Sequence, residues 1–139
     1  MVKPTIVLVP GSFSAANNYE NLIAMLRAKG FPALEITLPS TQKRLGLEPA
    51  SMMDDATEIR GVAEALISQN KEVVVMCHSY GGVPTTQALA GVPVKRIVYL
   101  TSIAPKNGQS QVEALPGPIV ENMLATAVVS SPHRALIPV

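Results

Sequence analysis

A single cysteine, Cys77, excludes an intrachain disulfide framework, and no cysteine–histidine cluster has the spacing of a zinc site. No excess of either charge is present: 11 basic and 10 acidic side chains give a formal +1, which offers no electrostatic footprint for nucleic acid. Long hydrophobic runs are missing too. The longest covers residues 73–77, far short of a transmembrane span, so no membrane partner is expected. The 12 prolines and 9 glycines are scattered, which excludes collagen-like and low-complexity chains. Met1-Val2-Lys3-Pro4 leads straight into a strand-like run without the shape of a signal peptide, and a soluble, cytoplasmic chain is expected.

Charge is scarce as well as balanced. Charged side chains make up 15% of the sequence, against about 25% in ordinary globular proteins. With 47% apolar residues, the expectation is a chain that packs against something or that was cut from something larger. Its 139 residues make one domain, and a domain of that length buries roughly 70% of its unfolded surface without a staple.

Along the chain, strand-like and helix-like segments alternate. Thr5–Val9 is a short β-branched run closed by Pro10-Gly11, a buried strand and a turn. Residues 17–29 place Tyr19, Leu22, Ile23 and Leu26 at helical spacing, with Asn17 and Glu20 as a capping box and Gly30 as the stop. Residues 33–38 read as a second strand and 41–51 as loop. Met52, Ala56, Ile59, Ala63 and Leu66 mark one face of a helix that ends near Asn70. Residues 73–77 are apolar throughout and read as a strand buried on both faces. A helix follows Ser79 and runs to about Ala90, with Pro84 in its first turn. Residues 95–100 make a fourth strand. Residues 101–139 read as irregular or as the start of a cap, with a helix over 119–129. This order predicts an α/β domain with a mostly parallel sheet of about four strands and flanking helices.

In such sheets ligands sit at the carboxyl ends of the strands, so Pro10-Gly11-Ser12-Phe13, Pro39-Ser40, His78-Ser79-Tyr80 and Thr101-Ser102 are the segments to search. Cys77-His78-Ser79-Tyr80-Gly81-Gly82 has the mechanics of a nucleophile elbow. A serine at a sharp strand-to-helix turn projects its hydroxyl above the sheet, and its neighbours two positions away must be small. Gly81 meets that need, and Cys77 stands where the G-x-S-x-G pattern has its first glycine. His78 precedes Ser79 in extended chain and points to the opposite face, so it reads as a packing or hydrogen-bonding histidine behind the elbow. Acyl transfer also needs two amides for the oxyanion. Tyr80 supplies one, and the loop after the first strand supplies the other from Ser12, with Phe13 as the alternative. Gly11 lets that backbone come close, and Gly11 and Phe13 border the binding site. Pro10-Gly11 alone reads equally as a plain turn; its pairing with the elbow favours the oxyanion hole.

The motifs Val7-Leu8-Val9-Pro10-Gly11-Ser12 and Val73-Val74-Val75-Met76-Cys77-His78-Ser79-Tyr80-Gly81-Gly82-Val83-Pro84 resemble the α/β-hydrolase fold superfamily. They are closest to its small esterase-like, hydroxynitrile-lyase-like branch of plant methylesterases and fungal secondary-metabolite hydrolases. The resemblance covers Thr5 to about Gly108. It implies Ser79 as nucleophile, Ser12 and Tyr80 as oxyanion donors, a small-molecule ester or acyl substrate, and no metal or organic cofactor.

The pattern then breaks. The fold expects Ser, then Asp or Glu, then His, yet no aspartate follows Ser79, and only Glu113, Glu121 and His133 remain. His133 has no strand before it to position it and reads as a tail histidine, so a shortened hydrolase is expected. Its fourth strand would present an open edge, to be covered by a second copy or a partner chain. The alternative from another class is a noncatalytic α/β-hydrolase-like module or fragment. A dinucleotide-binding domain fails, because one glycine stands after the first strand where three are needed. On this reading His133→Ala leaves any ester hydrolysis nearly unchanged, whereas Ser79→Ala abolishes its Ser79-dependent part. A loss of about a hundredfold or more on His133→Ala, the scale of a general base, would restore a Ser–Glu–His triad.

Overall fold

The computed structural model describes residues 2–14, 17–106 and 108–114. The helix expected over 119–129, together with Glu121 and His133, lies outside the described residues. Four parallel strands, β1 (Thr5–Val9), β2 (Ala33–Glu35), β3 (Val73–His78) and β4 (Arg96–Leu100), form one sheet in the order β2-β1-β3-β4. Helices α1 (Glu20–Ala28), α2 (Met52–Ser68) and α3 (Gly82–Ala88) connect them in turn, and a short α4 (Gln111–Ala114) follows. The expected α/β architecture is the one observed, with β1 and β3 interior.

The period-two pleat divides the core between two faces. Val7 and Val9 of β1 join Val73, Val75 and Cys77 of β3 in packing against α2 and α3 through Ile59, Ala63 and Val83. Ile6 and Leu8 face the other way, against Ile23 and Leu26 of α1. Burial along β3 therefore alternates: Val73, Val75 and Cys77 are buried while Val74, Met76 and His78 are only half-buried. This corrects the expectation of a strand buried on both faces. The all-apolar run conceals an asymmetry, because the smaller cluster on the α1 side covers Val74 and Met76 only in part. The β4 strand pairs only with β3 among the described residues, and Arg96, Tyr99 and Leu100 are exposed along it.

Element ends follow local chemistry. At the start of α2, the Ser51 amide donates to Asp54 Oδ2 at 2.7 Å and the Asp54 amide donates to Ser51 Oγ, a reciprocal capping box. The end of α1 closes as expected at Gly30, whose amide donates to the Arg27 carbonyl while that of Phe31 reaches Leu26. Its start does not. The helix begins at Glu20 after Tyr19, and Asn17 contributes only a backbone carbonyl to the Glu20 amide. The Tyr19 side chain is drawn instead toward β3, which delays the helix. The β2 ladder ends at Glu35, short of residue 38. The Ile36 amide still donates to the Leu8 carbonyl, but Pro39, which has no N–H, opens a 3-10 turn over Pro39–Thr41. The third helix likewise stops at Ala88, before the expected Ala90.

Ile59 is fully buried where α2 lies on the sheet. Ile59→Ala should lower unfolding free energy by about 2–5 kcal/mol, read from the midpoint of urea denaturation at constant slope.

Candidate active site

The β1 strand sends its chain to α1 on one face of the sheet, and the adjacent β3 sends its chain to α3 on the other. A crevice opens where neighbouring connections diverge in this way, at the carboxyl ends of the two strands. Ser79 stands at that point. It follows β3 directly with φ 52°, a left-handed conformation rare for a side chain with a Cβ, and opens a 3-10 turn over Ser79–Gly81 that feeds α3.

Close packing holds the turn in place. A Cβ on Gly81 would lie 2.5 Å from the Pro10 carbonyl oxygen and 2.9 Å from that of Val9, so glycine lets the end of β1 press against the turn. On the other side, a Cβ on Gly82 would lie 2.0 Å from the Ile103 carbonyl oxygen. Gly11, at the end of β1, is buried, and a Cβ there would meet Ser79 Cβ at 3.1 Å. The loop after β1 thus lies against the side chain of Ser79. The Tyr80 amide falls in the first turn of a helical segment, where N–H groups have no intrahelical acceptor.

Two hydrogen-bond systems flank Ser79. On the α2 side, Asp55 is fully buried, and it accepts from the Ser40 amide (2.8 Å), the Ser40 hydroxyl (2.6 Å) and the Tyr80 hydroxyl (2.9 Å). Three donors satisfy a carboxylate that would otherwise be costly to bury. Burial, and then the charge of Asp55, push the Tyr80 phenol far above its ordinary value, so it stays a protonated donor. On the α1 side, Tyr19 Oη lies 2.7 Å from His78 Nδ1 and accepts from the Gly11 amide at 3.2 Å. With Gly11 donating into that oxygen, the phenol hydrogen is free for His78 Nδ1, and the pair ties the β1 loop to β3.

These positions sort the residues expected from sequence. Ser79 and Gly11 come together. Tyr80 sends its side chain away to Asp55, so only its backbone belongs to the crevice. Ser12 and Phe13 follow Gly11 on the surface, Phe13 with φ 57° and 87% exposed. His78 engages Tyr19 rather than Ser79. Glu113 caps α4, accepting from the Ser110 amide and hydroxyl, and those bonds hold its carboxyl below the ordinary range. Cys77, behind the turn, is buried, which raises its thiol and keeps it protonated. No three His, Cys, Asp or Glu side chains among the described residues converge as a metal site requires.

Sequence reasoning missed Tyr19, Ser40 and Asp55 as partners of the elbow. Asp55 carried a signal: it falls at i+3 from Met52, on the same apolar face as Ala56, Ile59 and Ala63. A charged side chain on a core face requires buried donors.

Comparison with known proteins shows the family and the fold. A family described as the alpha/beta hydrolase family matches residues 6–137. Probable hydrolase R7 of Phoma sp. is 49% identical over 121 residues, which is 84% of this chain and 50% of that protein. Alpha/beta hydrolase nvfD of Aspergillus novofumigatus is 26% identical over 122 residues, 79% of this chain and 47% of the relative. The chain spans about half the length of these curated relatives. Among solved structures, an extracellular alpha/beta-hydrolase from a Paenibacillus species superposes with a TM-score of 0.74 at 22% identity, over 91% of this chain and 52% of that one. Tomato methylketone synthase I, in complex with 2-tridecanone, gives 0.70 at 20% identity, over 93% and 49%. At these identities the superpositions establish the fold.

Tyr80→Phe removes one of three donors from buried Asp55. The expected loss is about 1.5–3 kcal/mol of stability, measured by chemical denaturation. A variant as stable as the wild type would show that the bond to Asp55 contributes nothing net.

Proposed function

Because the chain belongs to the alpha/beta hydrolase family, we propose that Ser79 is the nucleophile of a serine hydrolase acting on a small-molecule ester or related acyl compound. The observation that carries this reading is the left-handed Ser79, set between parallel β3 and α3 with Gly11 packed against its side chain. That geometry is the mechanical need of an elbow, which must lift a hydroxyl clear of the sheet into the crevice. The 49% identity to a fungal probable hydrolase supports the reaction class. The resemblance to fungal secondary-metabolite hydrolases supports a small natural-product ester over a polymer.

In the proposed reaction the Ser79 oxygen bonds to the acyl carbon as its proton passes to a base, and the carbonyl π pair moves onto oxygen. The amides of Tyr80 and Ser12 are the donors for that oxyanion. Collapse re-forms the carbonyl and expels the alkoxide, which takes up the proton. Water then attacks the acyl-enzyme in the same manner, releasing the acid and restoring Ser79. His78 does not serve as the base, since its Nδ1 is engaged by Tyr19, and His133 lies outside the described residues.

A second reading, a noncatalytic module of the same fold, is favoured by one observation: among the described residues no side chain hydrogen-bonds the Ser79 hydroxyl. One experiment separates the two. A fluorophosphonate probe should label the wild-type chain and leave Ser79→Ala unlabelled, and hydrolysis of p-nitrophenyl acetate should fall to background in the same variant. Equal labelling of both proteins, or none of the wild type, would reject Ser79 as nucleophile and favour the noncatalytic module.

A further inference from the structure

The peptide unit joining Ser79 to Tyr80 carries the amide assigned to the oxyanion, and we propose that Ser102 is the positioning residue that aims it. This inference rests on the serine hydrolase reading above. A trans peptide is planar, and its C=O and N–H point in opposite directions. Holding the oxygen therefore sets the direction of the hydrogen. The Ser79 carbonyl accepts from the Gly82 amide within the turn, and from beyond the turn it is held by the Ser102 hydroxyl at 2.8 Å and by the Ile103 amide at 3.0 Å.

Both donors stand just past β4, and β4 and β1 flank β3 on opposite sides. A carbonyl drawn toward the β4 side turns the Tyr80 N–H toward the β1 side. There Gly11 meets the side chain of Ser79, and Ser12 follows Gly11 in the chain. The two assigned oxyanion donors thus converge because the carbonyl behind one of them is anchored. The bond from Gly82 lies within the turn and moves with it; the hydroxyl and amide from the loop after β4 together tie the peptide to the sheet, and losing the hydroxyl loosens that tie. These donors also polarise the unit, and cooperative strengthening of its N–H is about 10–30% per bond.

Gly82 reports how close this contact is. A Cβ there would lie 2.3 Å from Ser102 Oγ and 2.0 Å from the Ile103 carbonyl oxygen, so glycine is what lets the loop after β4 reach the Ser79 carbonyl. The other contact of the Ser102 hydroxyl, to Cys77 Sγ at 3.8 Å, is long even for sulfur. The bond to the Ser79 carbonyl is its principal one.

The test uses the full chain and a fluorophosphonate whose phosphoryl oxygen occupies the oxyanion position. Ser79 Oγ bonds to phosphorus as fluoride leaves and the hydroxyl proton passes to base. Loss of a whole oxyanion donor costs about 10²–10³ in rate, and a donor that is present but mis-aimed loses a part of that. Ser102→Ala should therefore lower the maximal inactivation rate about tenfold, with the half-saturating probe concentration within twofold. The Tyr80 amide nitrogen resonance should shift in the unreacted variant, a change that packing loss alone would not confine to that residue. Should Ser102→Ala not fold, Ser102→Cys, near in volume and a weak donor, is measured in its place with the same expectation. Wild-type inactivation in a folded variant, or a loss carried by the half-saturating concentration alone, overturns the role of Ser102 while leaving Ser79 as nucleophile. A wild-type chain that does not label at Ser79 overturns the underlying reading, and the role of Ser102 falls with it.

Discussion

The arrangement at the carboxyl edge of the sheet depends on the backbone contact that Gly81 permits between β3 and β1. The 3-10 turn after β3 crosses over the end of β1 so closely that a Cβ at residue 81 would sit 2.5 Å from a β1-end carbonyl oxygen. Real carbon–oxygen contacts do not go that short. A side chain there would push the turn off the strand and strain a ladder that runs in register from Thr5 beside Val73 to Val9 beside Cys77. The same closeness brings Gly11 against Ser79 and Gly82 against the loop after β4. Ser79 thus stands among three positions where the chain has no side chain.

That setting gives a physical account of how a left-handed serine persists. Placing an L residue in this region costs about 1–2 kcal/mol. The Ser79 carbonyl accepts two hydrogen bonds that the turn alone would not provide, and the next residue is anchored through its phenol to a buried carboxylate. The conformation is held from the β4 side through the backbone and from the α2 side through Tyr80. Strain of this kind persists where surrounding structure over-determines it, and such places cluster at functional sites.

The two faces of the sheet serve different ends. The face under α2 and α3 holds the larger core and carries the Asp55 system that steadies Tyr80. The α1 face is thinner, and at its carboxyl edge Tyr19 links Gly11 to His78. His78, half-buried at the end of β3, therefore acts on the loop after β1 rather than on the serine beside it.

The sequence by itself determined the alternation of strands and helices, the parallel sheet, the glycine stop at Gly30 and the serine turn after β3. Those features are local: a period of two or 3.6, a glycine or proline at a fixed offset, and a short motif whose steric needs are met by its neighbours. The start of α1, the end of β2 and the half-burial of β3 were not legible, because each is set by what lies across the fold. Tyr19 is drawn 59 residues along the chain to His78, Tyr80 reaches back 25 residues to Asp55, and Ser102 reaches 23 residues to the Ser79 carbonyl. No periodicity encodes such pairs, since a hydroxyl is equally content with water until the chain excludes it. Only tertiary packing decided which hydroxyls were taken from water, and thereby which donors came to hold the serine turn.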